Sequence, residues 1–252
     1  MPAADAVFTW TDGIVAFGVL ASIAFLVSWL STDIFHVARN GYIAILSSVV
    51  ALLTAACLAW SGASGMELVT SNWRGGLVAG ALVTIAIVPM IRRLPARAHP
   101  RGPRLWAMFA WEGVVYGTAE ALLLAALPVL VVWDATGVGH GGAWRGVLAI
   151  VGALVVILVH HLGYTEFRTI AARPKLLGAL VSCGLQAGAF LLTGNVLAPI
   201  AAHIALHVTL ILRGVEMPPA VEPSAEAPPR VMPDREGLVT TLPQARSSDG
   251  RR

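Results

Sequence analysis

The sequence predicts an all-α polytopic membrane protein, a bundle of about seven spanning helices with the N-terminus outside and the C-terminus cytoplasmic. Three observations carry this. The 252 residues are 57% hydrophobic and only 12% charged, with a mean hydropathy of +0.76, a balance foreign to soluble domains of this size. The apolar residues gather into segments of spanning or near-spanning length. The basic residues fall almost entirely into alternate connections.

The segments lie near residues 13–31, 41–60, 75–91, 104–133, 144–165, 175–193 and 195–213. Residues 1–12 carry Asp5 and Asp12 and no Lys or Arg, the reverse of a basic leader, so the first segment is expected to stay as a helix. With the N-terminus outside, Arg39, then Arg92, Arg93, Arg97, Arg101 and Arg104, then Arg168, Arg173 and Lys175, and last Arg213 and the tail arginines become cytoplasmic, leaving Arg74 and Arg145 outside. Cys57 and Cys183 sit in apolar runs without metal-type spacing and read as small buried hydrophobes. From Pro218 onward the chain is rich in Pro, Glu, Ser and Arg and has no apolar periodicity, which predicts a disordered cytoplasmic tail. Three parts follow: 1–103 with the first three helices and a basic loop, 104–213, and the tail 214–252. The net charge of +3 is too small to suggest nucleic-acid binding. The expected partners are membrane lipid and a substrate or protein at the membrane.

Few ionisable residues are stranded at membrane depth. Glu112 and Glu120 lie inside the fourth segment, His160 and His161 near the cytoplasmic end of the fifth, and His203 and His207 in the seventh. Burying such groups in hydrocarbon is costly enough that they should face the bundle interior and pair there. The two seventh-segment histidines stand four apart, so their rings leave one face of the helix. A carboxylate beside imidazoles is the minimum equipment for acid/base work on water. The same atoms suit metal ligation, haem ligation between facing helices or proton transport, and structural pairing between helices is the bland alternative.

The residues around these groups resemble the CAAX protease and bacteriocin-processing (CPBP) family of intramembrane endopeptidases, which includes the type II CAAX prenyl endopeptidase. That family carries Glu-Glu-x-x-x-Arg in one helix, Phe-x-x-x-His in the next and His-x-x-x-Asn near the end. Thr193-Gly194-Asn195-Val196-Leu197-Ala198-Pro199-Ile200-Ala201-Ala202-His203 is similar to the approach to the last histidine, with His207 in place of Asn. The second motif stands as Ile157-x-x-x-His161, followed by Leu162-Gly163. The first motif fits in two registers. With Glu120 leading, Ala121 and Ala125 take the places of the second Glu and the Arg; with Glu112 leading, Gly113 and Gly117 do. Glu120 is preferred, since it lies about 24 Å along its helix from Arg104, level with His203, whereas Glu112 is closer in depth to His161 and His207. Gly113, Gly117, Ala121 and Ala125 recur every four positions as a small-residue row that lets another helix approach closely.

The resemblance covers roughly residues 104–213. It implies a glutamate-dependent endopeptidase of a plasma membrane, bacterial in type, cutting a peptide or protein at the cytoplasmic side. Glu120 with His161 would activate water, His203 and His207 would stabilise the oxyanion, and Glu112 would be a second carboxylate of the cluster. That mechanism requires no cofactor, although Glu with three His would hold zinc on ligand type alone. The loss of the second Glu and the Arg keeps a second reading open, an inactive homologue that binds a membrane partner, and a haem protein is a more distant third.

Overall fold

The computed structural model describes residues 10–98, 101–137 and 142–215. The predicted tail from Pro218 lies outside them. The described chain is helical, with no strand. Helix α1 covers Trp10–Trp29 and continues through a wide π-type turn, Leu30–Ile34; α2 is Arg39–Ser61 and α3 the short Gly65–Thr70. α4 is Trp73–Arg92, α5 the long Pro103–Ala135, α6 Gly142–Leu162, α7 Arg173–Thr193 and α8 Leu197–Leu212.

Six of these helices are long and apolar enough to cross a membrane, which makes this an integral membrane protein. The seventh segment is the exception to the expected span count: α8 is a shorter apolar helix of 16 residues. It starts late because Asn195 is used as a clamp. The Asn195 Nδ2 donates to the carbonyls of Val69, at 2.7 Å, and Ser71, at 2.6 Å, while its Oδ1 accepts from the Leu197 N–H at 2.8 Å. Gly194, at φ 64°, supplies the left-handed residue that ends α7 just before it.

α5 is the centre of the bundle. Its most apolar window is 78% buried, against 22 to 33% for the other five long helices. Two wide turns, Phe109–Val115 and Leu122–Ala126, interrupt its α geometry on either side of Tyr116–Ala121. The second lies just ahead of Pro128, which has no N–H to give to the helix ladder. Around α5 the main core gathers Tyr42, Leu46 and Val50 of α2, Leu123, Leu127 and Val131 of α5 itself, Ala153 and Val156 of α6, and Ala187 and Phe190 of α7. A smaller cluster joins Val83, Ile87 and Ile91 of α4 to Ala198 and Ala202 of α8. Cys57 and Cys183 are buried free thiols.

The small-residue row in α5 receives α8. A Cβ on Gly117 would stand 3.2 Å from the Ile204 Cα, and one on Gly113 would stand 3.1 Å from a Val208 methyl. α8 is held as closely on its other side, where a Cβ on Gly80 of α4 would meet the Ala198 carbonyl oxygen at 2.8 Å. Wedged between two glycine-bearing helices, α8 brings its backbone, and so its histidines, close to α5.

The helix ends also sort. Asp33, at the end of α1, pairs with Arg168 of the α6–α7 connection at 2.9 Å. Arg39, at the start of α2, pairs with Glu112 early in α5 at 2.6 Å. The Arg97 N–H, just past α4, donates to the Arg213 carbonyl at the end of α8 at 2.8 Å. At the opposite end Asn72 reaches the Thr193 carbonyl at 3.1 Å, and Arg145 clasps the end of α5 through the Trp133 carbonyl at 2.6 Å.

Candidate active site

Glu120 stands on the α-helical turn between the two wide turns of α5 and is 8% exposed. Its Oε2 lies 2.8 Å from His207 Nε2 and 3.1 Å from His203 Nε2. Its Oε1 lies 3.6 Å from His160 Nε2. The two α8 rings leave one helix face, as their spacing predicts, and stack with centroids 5.1 Å apart. His203 and Glu120, expected to be level, are in contact. All three imidazoles are buried.

Each inner group is held from behind. His203 Nδ1 is 2.7 Å from Gln186 Oε1, and Gln186, fully buried on α7, donates from its Nε2 to Ser182 Oγ at 3.2 Å. His160 Nδ1 lies 3.1 Å from the Ala24 carbonyl and 3.0 Å from Ser28 Oγ, both on α1. The Tyr164 hydroxyl reaches His160 Nε2 at 3.2 Å and also bonds the Tyr42 hydroxyl. Burial first, then the charge of Glu120, push the Tyr164 phenol up from its ordinary value, so it stays a hydroxyl. Tyr116, one turn before Glu120, sets its ring edge-on to His207 at 4.9 Å.

Of the site residues expected from sequence, Glu120, His203 and His207 come together. Glu112 belongs to a neighbouring ion pair: its Oε2 accepts from Arg39 Nε at 2.6 Å, and the guanidinium also lies over the Tyr116 ring at 5.5 Å. The wide turn Phe109–Val115, which contains Glu112, resets the helical phase between the two carboxylates. His161 is bonded elsewhere; its Nδ1 lies 2.8 Å from the Ile157 carbonyl of its own helix and its ring lies edge-on to Phe167 at 4.8 Å. His160 takes the inner place. Adjacent residues on a helix differ by about 100° in direction, so a His-His pair does not reveal which ring turns inward. A signal was present nonetheless, since the small residues Ala149, Gly152 and Ala153 mark the inner face of α6 and the buried row runs from them through Val156 to His160.

Sequence reasoning missed Gln186, Ser28, Tyr42 and Tyr164. A single polar residue per helix carries no periodic signal, and uncharged side chains are common in membrane helices.

Chemically, one carboxylate facing three imidazoles in a low-dielectric interior can move a proton, hold a polarised water or ligate a cation. Glu120, His203 and His207 each offer one ligand atom, and these atoms all lie within 4.8 Å of one another. No protein-family model, no curated protein and no solved structure matches the chain.

Proposed function

We propose that this protein is an intramembrane endopeptidase of the CPBP type, hydrolysing a peptide bond of a membrane-associated substrate with a water activated by glutamate and histidine. The observation that carries the reading is the buried Glu120 carboxylate held against His203 and His207 and faced by His160. In this mechanism His160 takes the part that the motif spacing assigns to His161. The Glu120–His160 pair draws a proton from water as its oxygen attacks the peptide carbonyl, and the proton passes on to the leaving amine. His203, protonated on both ring nitrogens because Nδ1 is held by Gln186, and His207 donate to the oxyanion in a low-dielectric interior. Tyr164, a hydroxyl bonded to His160, steadies that ring.

The bundle is oriented with its basic end in the cytoplasm of a plasma membrane of bacterial type, and the substrate reaches the site from that side. The joined ends of α1, α4 and α8 with the starts of α2 and α5 support seven alternating passages, α8 being the last and shortest. A second reading, an inactive homologue that binds a membrane partner, is favoured by Ala121 and Ala125, which are fully buried where the motif has Glu and Arg.

One experiment separates them. Membranes of cells producing the wild type, Glu120→Gln or His203→Ala are compared by mass spectrometry of newly formed peptide termini. Termini present with the wild type and lost in both variants, each still eluting as a folded monodisperse protein in detergent, support the peptidase. Identical termini in all three would sink it and leave the binding reading.

A further inference from the structure

We infer that Glu120, His203 and His207 form a binding site for a divalent metal ion of the zinc class, with the Nε2 atoms of both histidines and the Oε2 of the glutamate as its ligands. A neutral imidazole has one N–H and one lone pair. His203 Nδ1 faces Gln186 Oε1 at 2.7 Å, an acceptor whose own amide nitrogen is turned to Ser182. In a neutral His203 the N–H is therefore on Nδ1, and the lone pair on Nε2 points at Glu120 Oε2, 3.1 Å away. Two acceptors do not stand at that distance without a positive charge between them, either a second proton that makes His203 an imidazolium or a metal ion, and the donor set decides for the metal.

The donor set names the cation. Two histidines four apart on one helix face, joined by a carboxylate from another element, are a zinc-type set of two nitrogens and one oxygen. Magnesium or calcium would call for mostly oxygen donors, and this site has one carboxylate. With zinc–ligand bonds near 2.0–2.1 Å, tetrahedral ligand atoms stand about 3.3 Å apart. The contacts of 2.8 and 3.1 Å need to open only slightly. The bond from His203 Nδ1 to a fixed amide oxygen is the outer-shell partner that metal-bound imidazoles ordinarily have. The ion would also offset a carboxylate charge that the bundle otherwise isolates from water.

His160 completes the picture without being a ligand. Its Nδ1 faces the Ala24 carbonyl, so its Nε2 lone pair looks towards the cluster at 3.6 Å from Glu120 Oε1 and accepts from Tyr164. An ion held by these three ligands would have a fourth position that no protein atom fills, which a water would take beside the His160 base. Read with the peptidase proposal, on which this step alone rests, His160 rather than Glu120 then receives the proton.

The test uses the full chain purified in detergent, stripped with a chelator and titrated with Zn²⁺ alone by calorimetry, with Co²⁺ as a spectroscopic probe and elemental analysis for stoichiometry. Expected are one ion per chain and tetrahedral Co²⁺ absorption. His203→Ala and His207→Ala should each weaken binding by at least about 100-fold, and Gln186→Leu, which leaves all three ligands in place, by about 10- to 100-fold. His161→Ala and Glu112→Gln should bind as the wild type does. Less than a tenth of an ion per chain, or affinity unchanged in the His203→Ala/His207→Ala protein, overturns the site; monodisperse elution of every variant, with wild-type binding by His161→Ala, guards against misfolding as the cause of a loss. The two proposals fail separately. Glu120-dependent cleavage by a protein that binds less than a tenth of a zinc ion per chain overturns the metal site and leaves the peptidase, whereas zinc bound as described without any Glu120-dependent cleavage upholds the site and removes the peptidase.

Discussion

Glu112 and Glu120 share one helix and meet opposite chemistry. Glu112 is answered by a guanidinium from α2, Glu120 by imidazoles from α8 and α6. Removing one partner from a largely buried ion pair leaves the other charge uncompensated. Glu112→Gln is therefore expected to lower stability by roughly 1–3 kcal/mol, read as thermal unfolding in detergent, while cleavage at saturating substrate persists. Glu120→Gln should do the reverse, abolishing cleavage with a smaller thermal effect. The same contrast applies to the adjacent histidines: His160→Ala should remove activity and His161→Ala should keep it, and equal loss in both would mean that the inner ring has been misassigned. The inventory of these residues was legible from sequence because a charge in an apolar run stands out in one dimension. Depth along the helix favoured Glu120 over Glu112, but the choice between His160 and His161 was not legible, because it depends on rotation about the helix axis.

At the scale of the element, α8 depends on glycines belonging to other helices. Gly80→Ala would drive a methyl to 2.8 Å from the backbone oxygen of Ala198, which a side-chain rotation does not relieve, whereas at Gly113 the nearest atom is a Val208 methyl at 3.1 Å that can turn aside. Overpacking of the first kind costs typically 1–3 kcal/mol, so Gly80→Ala should lower the unfolding temperature more than Gly113→Ala does, and the opposite order would show that α4 and α8 are less tightly joined than their geometry implies. The small-residue row of α5 was visible in the sequence, as was its consequence that some helix must approach closely. Its partner was not, since Gly113 and Gly117 say how near a neighbour comes and nothing about which neighbour it is. The wide turns around Glu120 had no sequence signature beyond Pro128, and they invalidate a uniform 3.6-residue projection of that helix.

At the scale of the whole molecule, the proposed orientation, which rests on the placement of the basic residues, predicts the result of topology mapping. A cysteine introduced near Met1 should react with a membrane-impermeant maleimide added outside cells, and one introduced near Arg213 only after the membrane is opened; the reverse pattern would invert the proposed orientation. Cys57 and Cys183 are buried and should stay silent in both cases. What the sequence by itself determined is the class of protein, the order of its apolar segments and the short roll of buried ionisable groups, because hydropathy and charge are properties of local composition. Only the tertiary structure decided that Glu112 leaves the cluster for Arg39, that His160 rather than His161 faces the carboxylate, and that Gln186 and Ser28 hold the rings from behind. The physical reason is that a site built from six helices is fixed by their rotations and close approaches, which are set by packing between segments far apart in the chain.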